Sequence, residues 1–246
     1  MASTTSKEFS DILLLKNSTE KPLGLDVSAH QEEIDWKSVA DFGIKWVYIK
    51  STEGAYHKDP SFLRHWKGAK DAGLLTSAYH YAILFWEGKP SSPEKEAKSL
   101  LATVPKDYDL PLALDLEPKE VKPIVEAKGR AAGADWIKRF IRVVEEETGV
   151  SPCLYTHHRI MGDEILGKDA DEFKIYHTWW AYYVNRLESV IDGVHKRPKG
   201  WGWNMWQFTS NGIIPGISSP VDVNIYNGSL TEFEMWSKTW KIGSST

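Results

Sequence analysis

Apolar residues along the chain fall into short β-prone runs that alternate with segments of helical spacing. The runs at 23–28, 45–50, 77–82, 110–116 and 151–156 read as five strands. Between them lie helical patterns at 36–42, at 61–72 with Phe62, Trp66 and Ala69 on one face, and at 93–102. Residues 130–148 give the clearest helix, with Trp136, Phe140, Val143 and Val144 at helical spacing and Gly149 as its stop. Beyond it the helical pattern weakens, and 178–184, 203–208 and 221–226 read as three more strands joined mostly by loops. Alternating strands and helices favour a parallel sheet. Five βα units followed by three strands therefore predict an α/β fold, a single irregular eight-stranded barrel whose active residues sit at the C-terminal strand ends. Segments 86–93 and 118–129 read as the most exposed loops.

Composition narrows the class. In 246 residues, 41% hydrophobic content is enough for a sizeable core. No Gly/Ser-rich linker or repeat divides the chain, so residues 21–240 are expected to form the barrel, with 1–20 as an N-terminal extension and 241–246 as a flexible tail. A net charge of −4 argues against nucleic acid as a partner. No run reaches the length of a membrane span, which argues against membrane insertion. The Ile12-Leu13-Leu14-Leu15 patch is too short, and too closely flanked by charge, for a secretory signal. The only cysteine, Cys153, excludes an intramolecular disulfide and reads as a buried small hydrophobe. Twelve tryptophans and ten tyrosines divide between core packing and flat faces suited to sugar rings, a division that composition does not make.

Chemistry concentrates in Leu112-Ala113-Leu114-Asp115-Leu116-Glu117-Pro118. Residues two apart on a strand share a face and lie about 6–7 Å apart. Asp115 and Glu117 should thus point one way and Leu114 and Leu116 the other. Two acids leaving a buried strand together are costly unless they perform a task, and paired carboxylates with split protonation drive glycoside hydrolysis. Further polar residues mark other strands: Asp26 on the first, Lys50 on the second, Tyr79 and Tyr81 on the third, Tyr155 on the fifth, Tyr182 on the sixth, Gln207 on the seventh and Asp222 on the last. First and last strands are neighbours in a closed barrel, which brings Asp26 beside Asp222. The histidines, including His157-His158, show no zinc-ligand spacing, and no phosphate loop or nucleophile elbow occurs. Neither a metal nor a cofactor is expected.

These motifs together resemble those of family 25 glycoside hydrolases, the Chalaropsis-type lysozymes. The resemblance runs through Gly24-Leu25-Asp26-Val27-Ser28-Ala29-His30-Gln31, Ile34-Asp35-Trp36, Lys50-Ser51-Thr52-Glu53-Gly54, Asp59-Pro60, Ala78-Tyr79-His80-Tyr81-Ala82, the Asp115–Glu117 run, Trp206-Gln207-Phe208 and Val221-Asp222-Val223-Asn224. It spans roughly residues 23 to 236; Tyr81 departs from a common phenylalanine, and Ala29 and Glu32 vary around the first motif. It implies a flattened (β/α)5(β)3 barrel and N-acetylmuramidase action on the β-1,4 bond between N-acetylmuramic acid and N-acetylglucosamine in peptidoglycan. The expected catalytic set is Glu117 as general acid, raised by like-charge Asp115, with Asp26 and Asp222 fixing the network. Tyr79, Tyr81, Lys50, Tyr155, Trp180, Tyr182, Trp206 and Gln207 are expected to bind substrate. Substrate assistance with retention is favoured over attack by Asp26 or Asp115. The expected setting is a monomer made in a host cytoplasm and released onto the wall, as phage endolysins are. The rivals are a chitinase-like hydrolase, whose upstream motif Pro111, Leu112 and Ala113 do not match, and a silent glycan-binding barrel.

Overall fold

A computed structural model describes residues 7–184, 187–193 and 195–240. The expected tail at 241–246, and residues 1–6 of the expected extension, lie outside the described residues. In chain order the elements are α1 (Lys7–Ser18), β1 (Leu23–Val27), α2 (Trp36–Phe42), β2 (Trp46–Glu53), β3 (His57–Lys58), α3 (Phe62–Asp71), β4 (Leu75–Tyr81), β5 (Phe85–Trp86), β6 (Lys89–Pro90), α4 (Pro93–Thr103) and β7 (Ala113–Asp115). They continue with α5 (Pro118–Lys128), α6 (Arg130–Thr148), β8 (Cys153–His157), α7 (His158–Met161), a 3-10 stretch (Gly167–Ile175), β9 (Thr178–Ala181), α8 (Leu187–Ile191), β10 (Met205–Gly212), β11 (Val221–Tyr226) and α9 (Leu230–Thr239).

Strands β1, β2, β4, β7, β8, β9 and β10 pair in parallel in that order, and β11 closes the ring antiparallel to both β10 and β1. This is the expected barrel, with all eight strands where the apolar runs place them. The period of two assigns every side chain to one of two cores. Leu25, Val47, Ala78, Leu114, Leu154, Trp180, Trp206 and Val223 face outward and pack under the helices. Trp46, Tyr48, Ala113, Cys153, Tyr155, Trp179, Met205 and Tyr226 face inward and fill the lower barrel, with Phe233 of α9 against them. A barrel interior is a packed core rather than a pore. Gly24 shows how tight it is, since a Cβ there would stand 2.1 Å from the Trp46 ring.

Three local readings change. Residues 118–129, expected as loop, are mostly helix α5 with Val121 and Ile124 buried. Pro118 occupies its first turn, where the missing N–H costs nothing, so it starts the helix instead of breaking the chain. Segment 86–93 holds the second arm of hairpin β5–β6, turned through Glu87 (φ 49°) and Gly88 (φ 77°). Within the segment set apart as an extension, α1 packs on β10 and α8 and buries Ile12 and Leu15 in the outer core. Among the described residues no helix is long and apolar enough to cross a membrane.

Candidate active site

The upper half of the barrel interior opens as a polar cavity of about 190 Å³. Each inward position above the aromatic plug contributes one group, because the alternation that buries Gly24, Trp46 and Ala113 below delivers Asp26, Lys50 and Asp115 above. The four acids Asp26, Asp115, Glu117 and Asp222 converge there with Lys50, Tyr79, Tyr81, Tyr155 and Gln207. Asp26 and Asp222 are directly paired across β1 and β11, as barrel closure requires. Nine of the twelve expected site residues thus meet in one place.

Three do not. Trp180 is fully buried on the outer face of β9, its Nε1 donating to the Gly202 carbonyl at 3.0 Å. Trp206 is likewise buried outside β10 and donates to the Tyr182 carbonyl at 2.7 Å. Tyr182 is half-buried and packs edge-on against His158, outside the cavity wall. The expected groove-lining role of all three gives way to strand parity. Trp206 and Gln207 are adjacent on one strand and cannot share a face, and with Gln207 inward the in-register Ala181 is inward too, leaving Trp180 outward. The inward neighbours are Trp179 and, past the strand end, Tyr183, which line the cavity with Ser28 and His30. Parity alone would have identified Trp179; Ser28 and His30 continue the quoted first motif into its loop. That loop is held by Asp59, which accepts from the Ala29 and Ser61 amides, both at 2.9 Å.

The two carboxylates nearest the sheet floor differ in what they touch. Asp26 accepts from Gln207 Nε2 at 2.9 and 3.0 Å and from Asn224 Nδ2 at 2.7 Å. Those donors are themselves fixed: Tyr155 and Tyr183 hydroxyls each donate to Gln207 Oε1 at 2.9 Å, and Trp179 Nε1 donates to Asn224 Oδ1 at 2.7 Å. Asp115 Oδ1, in contrast, is buried with no hydrogen-bond partner. Buried acceptors are nearly always satisfied, so an open one aimed at a cavity marks the place of a missing donor.

Burial governs the protonation pattern. It lifts Asp26 to about 6, against the lowering effect of the Asn224 and Gln207 donors. It lifts Asp222 to about 9, reinforced by the charge of Asp26. Both shifts run upward, so near neutrality the pair keeps a proton that two free carboxylates would release. Asp115 rises well above its ordinary range through burial, then through Glu117 and Asp26, with Lys50 opposing. Glu117, half-buried at the start of α5, is also raised by burial first, with Lys119 opposing and Glu120 and Asp26 adding. The expected repulsion between Asp115 and Glu117 is present and adds to burial, which is the largest cause for both groups. Tyr79 is pushed far up by burial among Asp26, Asp115 and Asp222 and stays a hydroxyl donor. Lys50 sits over the Tyr81 ring at 4.7 Å and pairs with Glu53 at 2.5 Å, forming the rim with Tyr81, whose hydroxyl donates to Glu120 at 3.2 Å.

Comparison with known proteins gives this geometry a family. The profile described as glycosyl hydrolases family 25 matches residues 25–217, from the start of the Asp26 motif to the approach of the last strand. The uncharacterised protein YegX of Escherichia coli K12 is 34% identical over 222 residues, covering 86% of this chain and 71% of its own. The N,O-diacetylmuramidase of Chalaropsis sp. is 28% identical over 224 residues, covering 84% of this chain and 94% of its own. In fold, the bacterial lysozyme of Streptomyces coelicolor superposes with a TM-score of 0.75 at 24% identity, over 89% of this chain and 98% of that one.

Proposed function

The chain belongs to glycosyl hydrolases family 25 and is a glycoside hydrolase, and from that premise we propose that it is an N-acetylmuramidase acting on peptidoglycan. Glycoside cleavage needs a proton for the leaving oxygen and a negative environment for the oxocarbenium-like carbon. Glu117 supplies the proton. Burial raises its hold on the proton, and it is half-buried at the cavity edge, within reach of a glycosidic oxygen and of water that reloads it.

The observation that carries the mechanism is the contrast between Asp26 and Asp115. A nucleophile needs an oxygen free to attack, and Asp26 has both oxygens committed to amide donors. Its fixed charge stabilises a developing cation electrostatically and at little reorganisation cost. Asp115 Oδ1 is open, and it suits the N–H of a 2-acetamido group. With that N–H held, the acetamide oxygen attacks the anomeric carbon while Glu117 protonates the departing oxygen. Water then opens the oxazolinium-like ring with Glu117 as base, returning the original anomeric configuration. Tyr79, kept as a donor between the carboxylates, steadies the acetamide.

Peptidoglycan digestion followed by borohydride reduction and mass spectrometry tests the reading. Reduced muramic ends are expected, and Glu117→Gln should lower turnover by about 10²–10⁴-fold. Reduced glucosamine ends would make the enzyme a glucosaminidase. Unchanged turnover in Glu117→Gln would move the acid elsewhere, and no release of fragments by the parent protein would favour the glycan-binding reading.

A further inference from the structure

A second, larger cleft opens beside the catalytic mouth and is used by none of the steps above. It measures about 460 Å³ and lies between the segment after β8, which carries α7 and the start of the 3-10 stretch, and the 196–201 part of the β9–β10 connection. The first segment leaves the C-terminal end of β8, so the His158–Arg159 end of the cleft lies on the same side of the barrel as the acids. Residues 196–201 run on toward the start of β10. His158 and Tyr182 join the two sites. The His158 ring lines the cleft and meets Tyr182 edge-on at 5.8 Å, and the next residue, Tyr183, lines the cavity.

The two sites have opposite charge. Arg159, Lys168, Lys196, Arg197 and Lys199 line the second cleft against Asp163, Glu164 and Asp171, five cations to three acids. Two of those acids are already engaged: Arg159 Nε reaches both oxygens of Glu164 at 2.7 and 2.8 Å, and Lys174 reaches Asp171 at 2.7 Å. Among the described residues Lys168, Lys196 and Lys199 have no acid within ion-pair distance. The neighbouring imidazoles register the same field. Burial lowers His158, and Lys196 adds to the effect; His157 falls to about 4 through burial, then His158 and Arg159. His158 Nδ1 is buried and unpartnered. Uncompensated cations crowded around one concavity repel each other, and that cost is recovered when an anion fills it.

We propose that this cleft is a second binding site for the anionic groups, carboxylate or phosphate, of the same wall polymer whose glycan the mouth cleaves. The proposal rests on the muramidase reading for the identity of that polymer. The lactyl-linked peptide stem of each muramic residue carries carboxylates, and wall-attached polyols carry phosphodiesters. Either would enter the cleft while the glycan occupies the mouth. Arginine and lysine gathered around one concavity suit such oxyanions.

The test is a triple reversal, Lys168→Glu, Lys196→Glu and Lys199→Glu, at exposed positions that the fold tolerates. Kinetics are measured on intact walls, on walls stripped of stems by an amidase, and on walls stripped of phosphodiesters by hydrofluoric acid. The expected result is a KM raised on the order of tenfold on intact walls with kcat unchanged. The stripping that raises the parent's KM equally, and leaves the triple variant unaffected, identifies the source of the anion. A triple variant equal to the parent on intact walls overturns the proposal. So does an equal loss on all three substrates, or the same loss from the control pair Lys37→Glu and Lys67→Glu on α2 and α3. Titration of the Glu117→Gln protein with inorganic phosphate and with a soluble stem peptide separates this from the catalytic reading. Binding there, abolished by the triple reversal, holds even if the parent releases no muramic ends; no binding of either probe counts against the cleft alone.

Discussion

Asp26 shows what a single residue's environment does to its chemistry. Burial raises its carboxyl to about 6, while the Gln207 and Asn224 amides hold it down from a higher value. If its charge is needed in catalysis, kcat/KM should fall as pH drops below about 6, since that limb reports the free enzyme. Gln207→Met keeps the volume but removes the amide that makes two of the three amide hydrogen bonds to Asp26. Losing bonds that favour the ionised form raises the pKa, so the acid limb should move upward by roughly half a unit to one unit. A pH–rate profile of the variant decides this, and an unmoved limb would assign the ionisation to another group. Sequence reasoning found this level well wherever a motif fixed the identity and the period of two fixed the face, as for Asp115 and Glu117 against Leu114 and Leu116. It failed at Trp180, Tyr182 and Trp206, where aromatic character was allowed to outweigh parity. It was also silent on which donors reach which oxygens, because Asn224 and Asp26 are 198 positions apart and their contact exists only once the barrel closes.

Elements divide by how their sequence signals are worded. Helices α2 and α6 have the limits that spacing predicts, and Gly149 ends α6 in the left-handed region at φ 73°. Helix α5 was legible in Val121, Ile124 and Val125 at helical spacing, but Pro118 reads as punctuation in the sequence, and the helix also accommodates Pro123. Helix α1 was hidden for a different reason: its apolar residues were read for export and not for packing. Ile12 and Leu15, one turn apart, both sit in the outer core, and Ile12 lies against Gly212 of β10. Leu15 is fully buried, so Leu15→Ala should destabilise the protein by about 2–5 kcal/mol. Urea unfolding measures it. A loss below about 0.5 kcal/mol, the range of surface substitutions, would mean that the helix is an appendage whose docking contributes nothing to the barrel.

At the scale of the whole molecule, the barrel gathers four carboxylates into one desolvated space, and that concentration has a thermodynamic sign. Asp222 has a folded-state value of about 9 against an ordinary 3.8. Between those two values the folded chain keeps a proton that the unfolded chain has released. The associated stability is complete below about 4 and is lost as pH rises through 9, the reverse of a salt-bridged acid. Asp26 acts in the same direction over the narrower span from 3.8 to about 6. The carboxylates held below their ordinary values, such as Glu94 beside Arg139, act in the opposite direction but only at lower pH. Buried histidines also oppose the cavity up to about 6.5, since His157 and His195 fall to about 4 and His65, His158 and His177 are lowered. Above that value the cavity dominates, and the melting temperature should fall from about pH 7 to 9. Asp222→Asn never ionises, so it should flatten the decline and melt above the parent at pH 8, while hydrolysis weakens because the Asp26 network loses its protonated neighbour. A variant that keeps the parent's full pH slope would place the proton elsewhere in the cavity. The gain in stability and the loss of activity belong together, because the acids that make the barrel a hydrolase are the groups that its fold is least suited to bury.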